Sequence, residues 1–266
     1  MSRRLPITQI DAFADRPFTG NPAAVMPLDA WLDDSVLQQI ASENNLSETA
    51  FIIPDDSDAA DFELRWFTPA AEVALCGHAT LASGHYVLAS DPDRDQVRFR
   101  TRQAGILSVA RKGDGYDMAL PAWGPSPKPL PEIVAALGVA AATDTLWHER
   151  GYALIVLERA AQVRALKPDS GALAKLGPIV AIATAPGDTS DVISRVFTPG
   201  FDIPEDPVTG SAHAVMTPYW AARLGRNSFS AFQASKRGGD VGCRLAGDQV
   251  ILTGRCVTML EGVFLL

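Results

Sequence analysis

Three stretches of the chain gather side chains that could move protons. In Ala74-Leu75-Cys76-Gly77-His78-Ala79-Thr80 a thiol and an imidazole flank a glycine, and the run to residue 89 that follows is small, apolar and free of formal charge. A helix apolar on every face is a buried helix. Gly77 at its start lets the backbone approach a ligand and leaves N–H groups without intrahelical partners. Such a helix start, with a histidine at its mouth, is an anion site with a proton donor or acceptor beside it. His78 could equally be a core histidine bonded to a backbone carbonyl. The second stretch, Glu205-Asp206-Pro207-Val208-Thr209-Gly210-Ser211, places two acids before another small-residue segment. Asp206 there is either a helix-start charge, favourable by roughly 0.3–1 kcal/mol, or a carboxylate at the rim of an anion pocket. The third candidate is Glu48, which opens a β-rich segment amid Leu46, Ala50 and Phe51. It is either a solvated strand-end charge or a partly buried acid with a raised pKa.

Cys76 could act as nucleophile or base, or be an inert buried thiol. A Cys-x-His pair supplies too few ligands for zinc, so no metal is expected. Cys243 and Cys256 fall in late strand-like segments and read as structural. Neither a G-x-x-x-x-G-K nor a G-x-G-x-x-G nucleotide loop is present.

The elements that must hold these residues repeat. Arg65-Trp66-Phe67-Thr68-Pro69 and Arg195-Val196-Phe197-Thr198-Pro199 are strand-like runs closed by a Thr-Pro breaker. Each leads by a short loop into a glycine turn and a small-residue segment. Recurrence at about half the chain length predicts two homologous domains rather than a solenoid, whose period would be roughly 20–50 residues. The 78–89 helix has its counterpart from about Gly210 to Leu224, stopped by Gly225. A further helix is expected over 35–43, capped by Asp33 or Asp34 and ended by Asn44-Asn45. Residues 97–101, 106–111 and 116–120 are spaced like a β-meander. Residues 121–131 hold five prolines and read as a linker. Residues 145–148, 152–157 and 162–166 are strand candidates, and 169–176 a short helix.

The 266-residue chain is 47% hydrophobic, as expected of a well-cored protein. Its formal charge of −8, with no Lys/Arg cluster, argues against nucleic acid or an anionic membrane as partner. No apolar run approaches the ~20 residues of a membrane span. Three cysteines in no zinc-like pattern, and a start (Met-Ser-Arg-Arg-Leu-Pro) without a signal-peptide core, suit the cytoplasm.

The chain resembles the phenazine-biosynthesis PhzF-like family of the diaminopimelate epimerase-like superfamily. The resemblance runs end to end. It rests on Ile10-Asp11-Ala12-Phe13 leading to Phe18-Thr19-Gly20-Asn21-Pro22-Ala23-Ala24-Val25, on Asn45-Leu46-Ser47-Glu48-Thr49-Ala50-Phe51, on Phe67-Thr68-Pro69…Glu72…Cys76-Gly77-His78-Ala79-Thr80, and on residues 205–213. It implies an α+β fold of two pseudo-symmetric domains, each a β-barrel-like sheet wrapped around a central helix, with the active site between them. The halves would be 1–120, rejoined by strands at about 256–266, and 121–255. The family's catalytic carboxylate falls on Glu48, and its active-site histidine and aspartate on His78 and Asp206. Backbone N–H groups of Gly77, Gly210 and Ser211 resemble an anion cradle, and Asn21, Cys76 and Thr209 complete the expected substrate-binding set. Such proteins are commonly homodimers and use no cofactor. The superfamily's racemases place a cysteine at each helix mouth. Here Cys76 holds the first place but Thr209 the second, and a threonine hydroxyl is too weak an acid to replace a thiol. The expected chemistry is therefore a proton shift by Glu48 on a small anionic metabolite. A one-base epimerase using Cys76, or a non-catalytic binding protein, are the alternatives.

Overall fold

The structure, a computed structural model, describes residues 3–266; the sequence expectation for Met1 and Ser2 lies outside them. The chain divides into two compact units, Met1–Ala119 with Thr253–Leu266, and Leu120–Leu252. The first contains β1 (Arg4–Ala12), β2 (Asn21–Pro27), α1 (Asp34–Asn44), β3 (Glu48–Pro54), β4 (Phe62–Phe67), β5 (Glu72–Val73), α2 (Gly77–Ser90), β6 (Gln96–Thr101), β7 (Ile106–Lys112) and β8 (Gly115–Pro121). The second contains β9 (Ser126–Pro127), α3 (Pro131–Ala136), β10 (Asp144–His148), β11 (Tyr152–Val156), α4 (Ala160–Ala165), α5 (Ser170–Lys175), β12 (Val180–Pro186), β13 (Val192–Thr198), β14 (Ile203–Asp206), α6 (Gly210–Leu224), β15 (Ser228–Gln233), β16 (Gly239–Ala246) and β17 (Gln249–Gly254). The last strand, β18 (Cys256–Leu265), pairs antiparallel with β1.

Both units repeat one strand pattern. In the first, β2 and β3 are parallel, β3 and β4 antiparallel, β4 and β6 parallel, and β6 and β7 antiparallel. In the second, β11–β12, β12–β13, β13–β15 and β15–β16 follow the same sequence of senses. A parallel neighbour needs a crossover connection. The crossovers after β4 and β13 carry the two long helices that the small-residue runs encode.

Helix α2 is buried over its first eight residues and packs against β1, β2, β3, β6, β7 and β18. Its small side chains let strands come close. A Cβ at Gly84 would sit 2.4 Å from Val109 Cγ1, so glycine is what lets β7 approach there. Each fully buried aliphatic such as Leu81 or Leu88 contributes roughly 1.5–3 kcal/mol over an exposed one. Helix α6 packs against β11 and β16 and is pinned by Trp220, whose Nε1 donates to Thr184 Oγ1 at 3.0 Å. Gly225 ends α6 and Asn45 ends α1, both in the left-handed conformation.

Several local expectations are corrected. Residues 162–166 are not a strand. They lie in and just after α4, whose start is fixed by Gln162 Oε1 accepting from the Arg159 N–H at 2.9 Å, with Ala160 and Val163 buried one turn apart. The proline-rich 121–131 stretch is not all linker, because Ser126 and Pro127 pair with β10 and Pro131 opens α3. Asp33 is the N-cap of α1 but makes no side-chain cap bond.

Candidate active site

At the start of α2 three elements converge. Cys76 is the extended N-cap residue, Gly77 the first helical residue and His78 the second. Glu48 is the first residue of β3 and pairs with Ala23 on β2, whose first residue is Asn21. Asn21 reaches this position through Gly20, whose φ of +67° and 2.2 Å virtual Cβ contact with the Ala12 carbonyl admit no side chain.

The side chains form a chain centred on the ring of His78, which is 4% exposed. Asn21 Nδ2 lies 3.1 Å from His78 Nδ1, and Glu48 Oε2 lies 2.9 Å from His78 Nε2. Cys76 Sγ is 3.5 Å from Nδ1 and 4.0 Å from Nε2. Burial works against the charged ring, yet the pKa of His78 is lifted well above the ordinary histidine value, because Cys76 and Glu48 both favour the imidazolium. Burial, and then the charge of Glu48, push the Cys76 thiol up to about 11. At neutral pH the sulfur therefore keeps its proton, and the Glu48 carboxylate is the partner that holds the ring charged. With the ring charged, Nδ1 carries a proton and cannot accept from an Asn21 N–H. Protonation of Nδ1 requires the amide to turn its oxygen inward.

At the start of α6 the same backbone carries different side chains. Thr209 is the extended N-cap residue, followed by Gly210 and Ser211. The Thr209 hydroxyl donates to the Asp206 carboxylate. Gln233, fully buried, accepts from the Thr209 N–H at 2.9 Å and donates to the Asp206 carbonyl at 2.7 Å. His213 Nδ1 donates to the Thr209 carbonyl at 2.8 Å, while Nε2 is buried without a hydrogen-bond partner. Burial lowers the pKa of His213 to about 4, so the ring is neutral.

The structure thus gathers Asn21, Glu48, Cys76, Gly77 and His78 at one helix start, and Asp206, Thr209, Gly210 and Ser211 at the other. Sequence reasoning did not single out Gln233, which braces the α6 start from a strand 24 residues on. It also missed the repeated ion pair behind both helices. Arg65 Nε donates to Glu72 Oε1 at 2.8 Å and Arg195 Nε to Glu205 Oε1 at 2.7 Å. Each guanidinium lies 5.0 Å over the phenylalanine two residues along its strand. The Arg-x-Phe-Thr-Pro repeat was the signal that could have revealed it. Chemically, the α2 start offers an acid, an imidazole and a thiol in mutual contact, enough for proton transfer at carbon. One donor or acceptor atom of each lies within 4.8 Å of the other two. No helix among the described residues is long and apolar enough to cross a membrane.

Comparison with known proteins gives this geometry a lineage. The family model for phenazine biosynthesis-like protein (PhzC-PhzF) matches residues 10–262. An uncharacterized isomerase of Pseudomonas aeruginosa is 46% identical over 97% of this chain and 98% of its own. The crystal structure of a PhzF-family phenazine biosynthesis protein from Enterococcus faecalis superposes with a TM-score of 0.90 at 41% identity, covering all of both chains. A hydroxyproline epimerase from Agrobacterium vitis, 11% identical with a TM-score of 0.64, shares the fold alone over 99% of this chain and 93% of its own. With the matching motifs, strand pattern and helix starts, these likenesses show that the chain belongs to the phenazine biosynthesis-like (PhzF) family, on a fold shared with the epimerases.

Proposed function

We propose that this protein is an isomerase that shifts a proton at carbon on a small carboxylate-bearing metabolite by general acid–base catalysis. Glu48 is the group that takes and returns the proton, and His78 orients Glu48 and exchanges charge with it. The backbone N–H groups at the start of α2, from Gly77 onward, receive the substrate's carboxylate. At α6, Gly210 and Ser211 present donors of the same kind, and Asp206 an acid held by Thr209. The observation that carries the reading is the 2.9 Å contact between Glu48 Oε2 and His78 Nε2 at a buried helix start. It fits the isomerase naming of the Pseudomonas relative. The rival one-base chemistry at Cys76 is disfavoured by a thiol held at about 11. Thr209, which gives α6 no second thiol, speaks against a two-thiol racemase mechanism.

The test is a panel of small carboxylates incubated with the protein in deuterium oxide and scored by mass. Label at a carbon position of at least one compound, with no change in oxidation level, is the expected result. Saturable binding of a panel member with no label at any carbon would show a binding protein instead.

A further inference from the structure

We infer that Arg150, placed over the ring of Trp123 in the second unit, binds a second carboxylate of the substrate, so that the preferred metabolite is a dicarboxylate. This names the substrate class for the isomerase reading above and rests on that reading for turnover; the binding preference itself does not.

Strand register brings Arg150 to the end of the sheet where α6 begins. Tyr152 pairs with Val180 as Ala23 pairs with Glu48, and His148 pairs with Tyr152 as Ile10 pairs with Ala23. The β10–β11 turn thus stands, in the second unit, where the loop that delivers Asn21 stands in the first. Trp147, Ala153 and Ile155 pack with Ile133 of α3 and Leu173 of α5. Alternation along the strands therefore turns His148 and Tyr152 to the opposite face, against α6.

Pro218 fixes Trp123 there. Inside α6 it has no N–H to offer the Ala214 carbonyl four residues back. The Trp123 N–H donates to that carbonyl instead, at 3.2 Å. Ala214 lies one turn, about 6 Å, beyond Gly210. The Trp123 ring stacks on His148 with centroids 5.8 Å apart and meets Tyr152 at 5.7 Å. The Arg150 guanidinium sits 5.0 Å from the centre of the Trp123 ring.

Charge explains what such an arginine can take. Arg164, Arg195, Arg223 and Arg226 of the same unit all have carboxylate partners. Among the described residues none pairs with Arg150, although the chain holds 31 acids. A guanidinium lying over an indole keeps its edge N–H groups for a carboxylate, which it can meet bidentately. Burial lowers the pKa of His148, so its neutral ring adds no charge. One cation balances one carboxylate, whereas a phosphate brings about −2 and would need a second.

The probes are straight-chain dicarboxylates from succinate to adipate, each matched with the monocarboxylate of equal length and titrated calorimetrically onto the full chain at low salt. At least one dicarboxylate should bind at least about tenfold tighter than its match, the size of one charge-assisted contact. Added salt should narrow the difference. Arg150 is exposed, so its variants should keep the parent circular dichroism. Arg150→Gln should cancel the preference, and Arg150→Lys should restore part of it, keeping the charge without the fork. Arg159→Gln, an exposed arginine at the start of α4, should leave the preference intact. A parent that binds both members of every pair equally, or neither, would overturn the assignment. So would a preference that survives Arg150→Gln, an equal loss for both members in that variant, or a matched phosphate monoester held tighter than the dicarboxylate. Solvent deuterium uptake separates this outcome from the isomerase reading. A dicarboxylate preference with no label at any carbon would keep the role of Arg150 and overturn the isomerase. Label uptake indifferent to the second carboxylate would do the reverse.

Discussion

The starts of α2 and α6 share a scaffold, with three extra residues between arginine and glutamate in the second unit. Behind each stands an arginine paired bidentately with a glutamate four residues before the N-cap and stacked on a phenylalanine. At each, the residue four beyond the N-cap turns back to the N-cap carbonyl: the Thr80 hydroxyl at 2.6 Å on Cys76, the His213 ring at 2.8 Å on Thr209. What differs is the chemistry placed on it. The β3–β4 and β12–β13 registers set Thr49 opposite Phe67 and Ala181 opposite Phe197, so the position of Glu48 is held in the second unit by Val180. His78 corresponds to Ser211, and Cys76 to Thr209. A duplicated frame can thus be kept for stability in both copies while ionisable groups in contact with one another are concentrated in one.

Erasing that difference should have the largest effect. Glu48→Val, which copies Val180 into the first unit, should lower proton exchange by about 10²–10⁴-fold, the range of a general acid–base group, with far-ultraviolet circular dichroism unchanged. The shared part is tested by stability. Arg65→Met removes the bidentate partner of Glu72 and leaves that carboxylate, 28% exposed, with Arg102 Nη1 at 3.2 Å, so the loss falls below the about 3–5 kcal/mol of breaking a fully buried pair. Arg65 is 2% exposed and Arg195 14%. Urea unfolding should therefore show a smaller loss for Arg195→Met; equal or inverted losses would break the comparison.

The two histidines should give opposite pH signatures. His213, held neutral with a pKa of about 4 against an ordinary 6.5, stabilises the fold above 6.5, and that contribution is lost as pH falls from 6.5 through 4. At about 1.4 kcal/mol per unit the loss is roughly 3 kcal/mol. His213→Thr, which copies Thr80, should flatten the slope of urea-measured stability in that window. His78, raised by its partners, contributes stability that is complete below 6.5 and lost as pH rises through its elevated value. Glu48→Gln should remove that alkaline slope. The smallest effect is expected at Asn21. Removing its hydrogen bond to Nδ1 is worth about 1 kcal/mol. Asn21→Ala should thus reduce exchange by about fivefold and shift the Nδ1 NMR signal of the His78 ring.

Much of the frame was legible because burial on all sides leaves a simple imprint. The run behind Gly77 is mostly small and free of formal charge, the run behind Gly210 carries a charged residue only near its end, at Arg223, and the helices observed begin at those glycines. Gly225 and Asn45 marked helix ends because few residues take the left-handed conformation easily. Where local signals competed, reading failed: Gln162, Val163 and Arg164 alternate polar and apolar as a strand would, but Val163 and Leu166 are three apart, the helical spacing, and the turn fixed by Gln162 prevails. The site was legible mainly through motifs shared with a family, since its contacts are long-range. Asn21 meets His78 across 57 residues and Gln233 meets Thr209 across 24. No periodicity encodes such meetings. They follow from strand order and register.

The account turns on which side chain at the α2 start moves the proton. The direct measurement is the rate of solvent deuterium uptake into a responsive carboxylate by Glu48→Gln and Cys76→Ala, side by side with the parent protein. Uptake cut at least a hundredfold in Glu48→Gln and held within about tenfold in Cys76→Ala is the outcome expected of a carboxylate base. The reverse pattern would place the chemistry on the thiol and contradict the account.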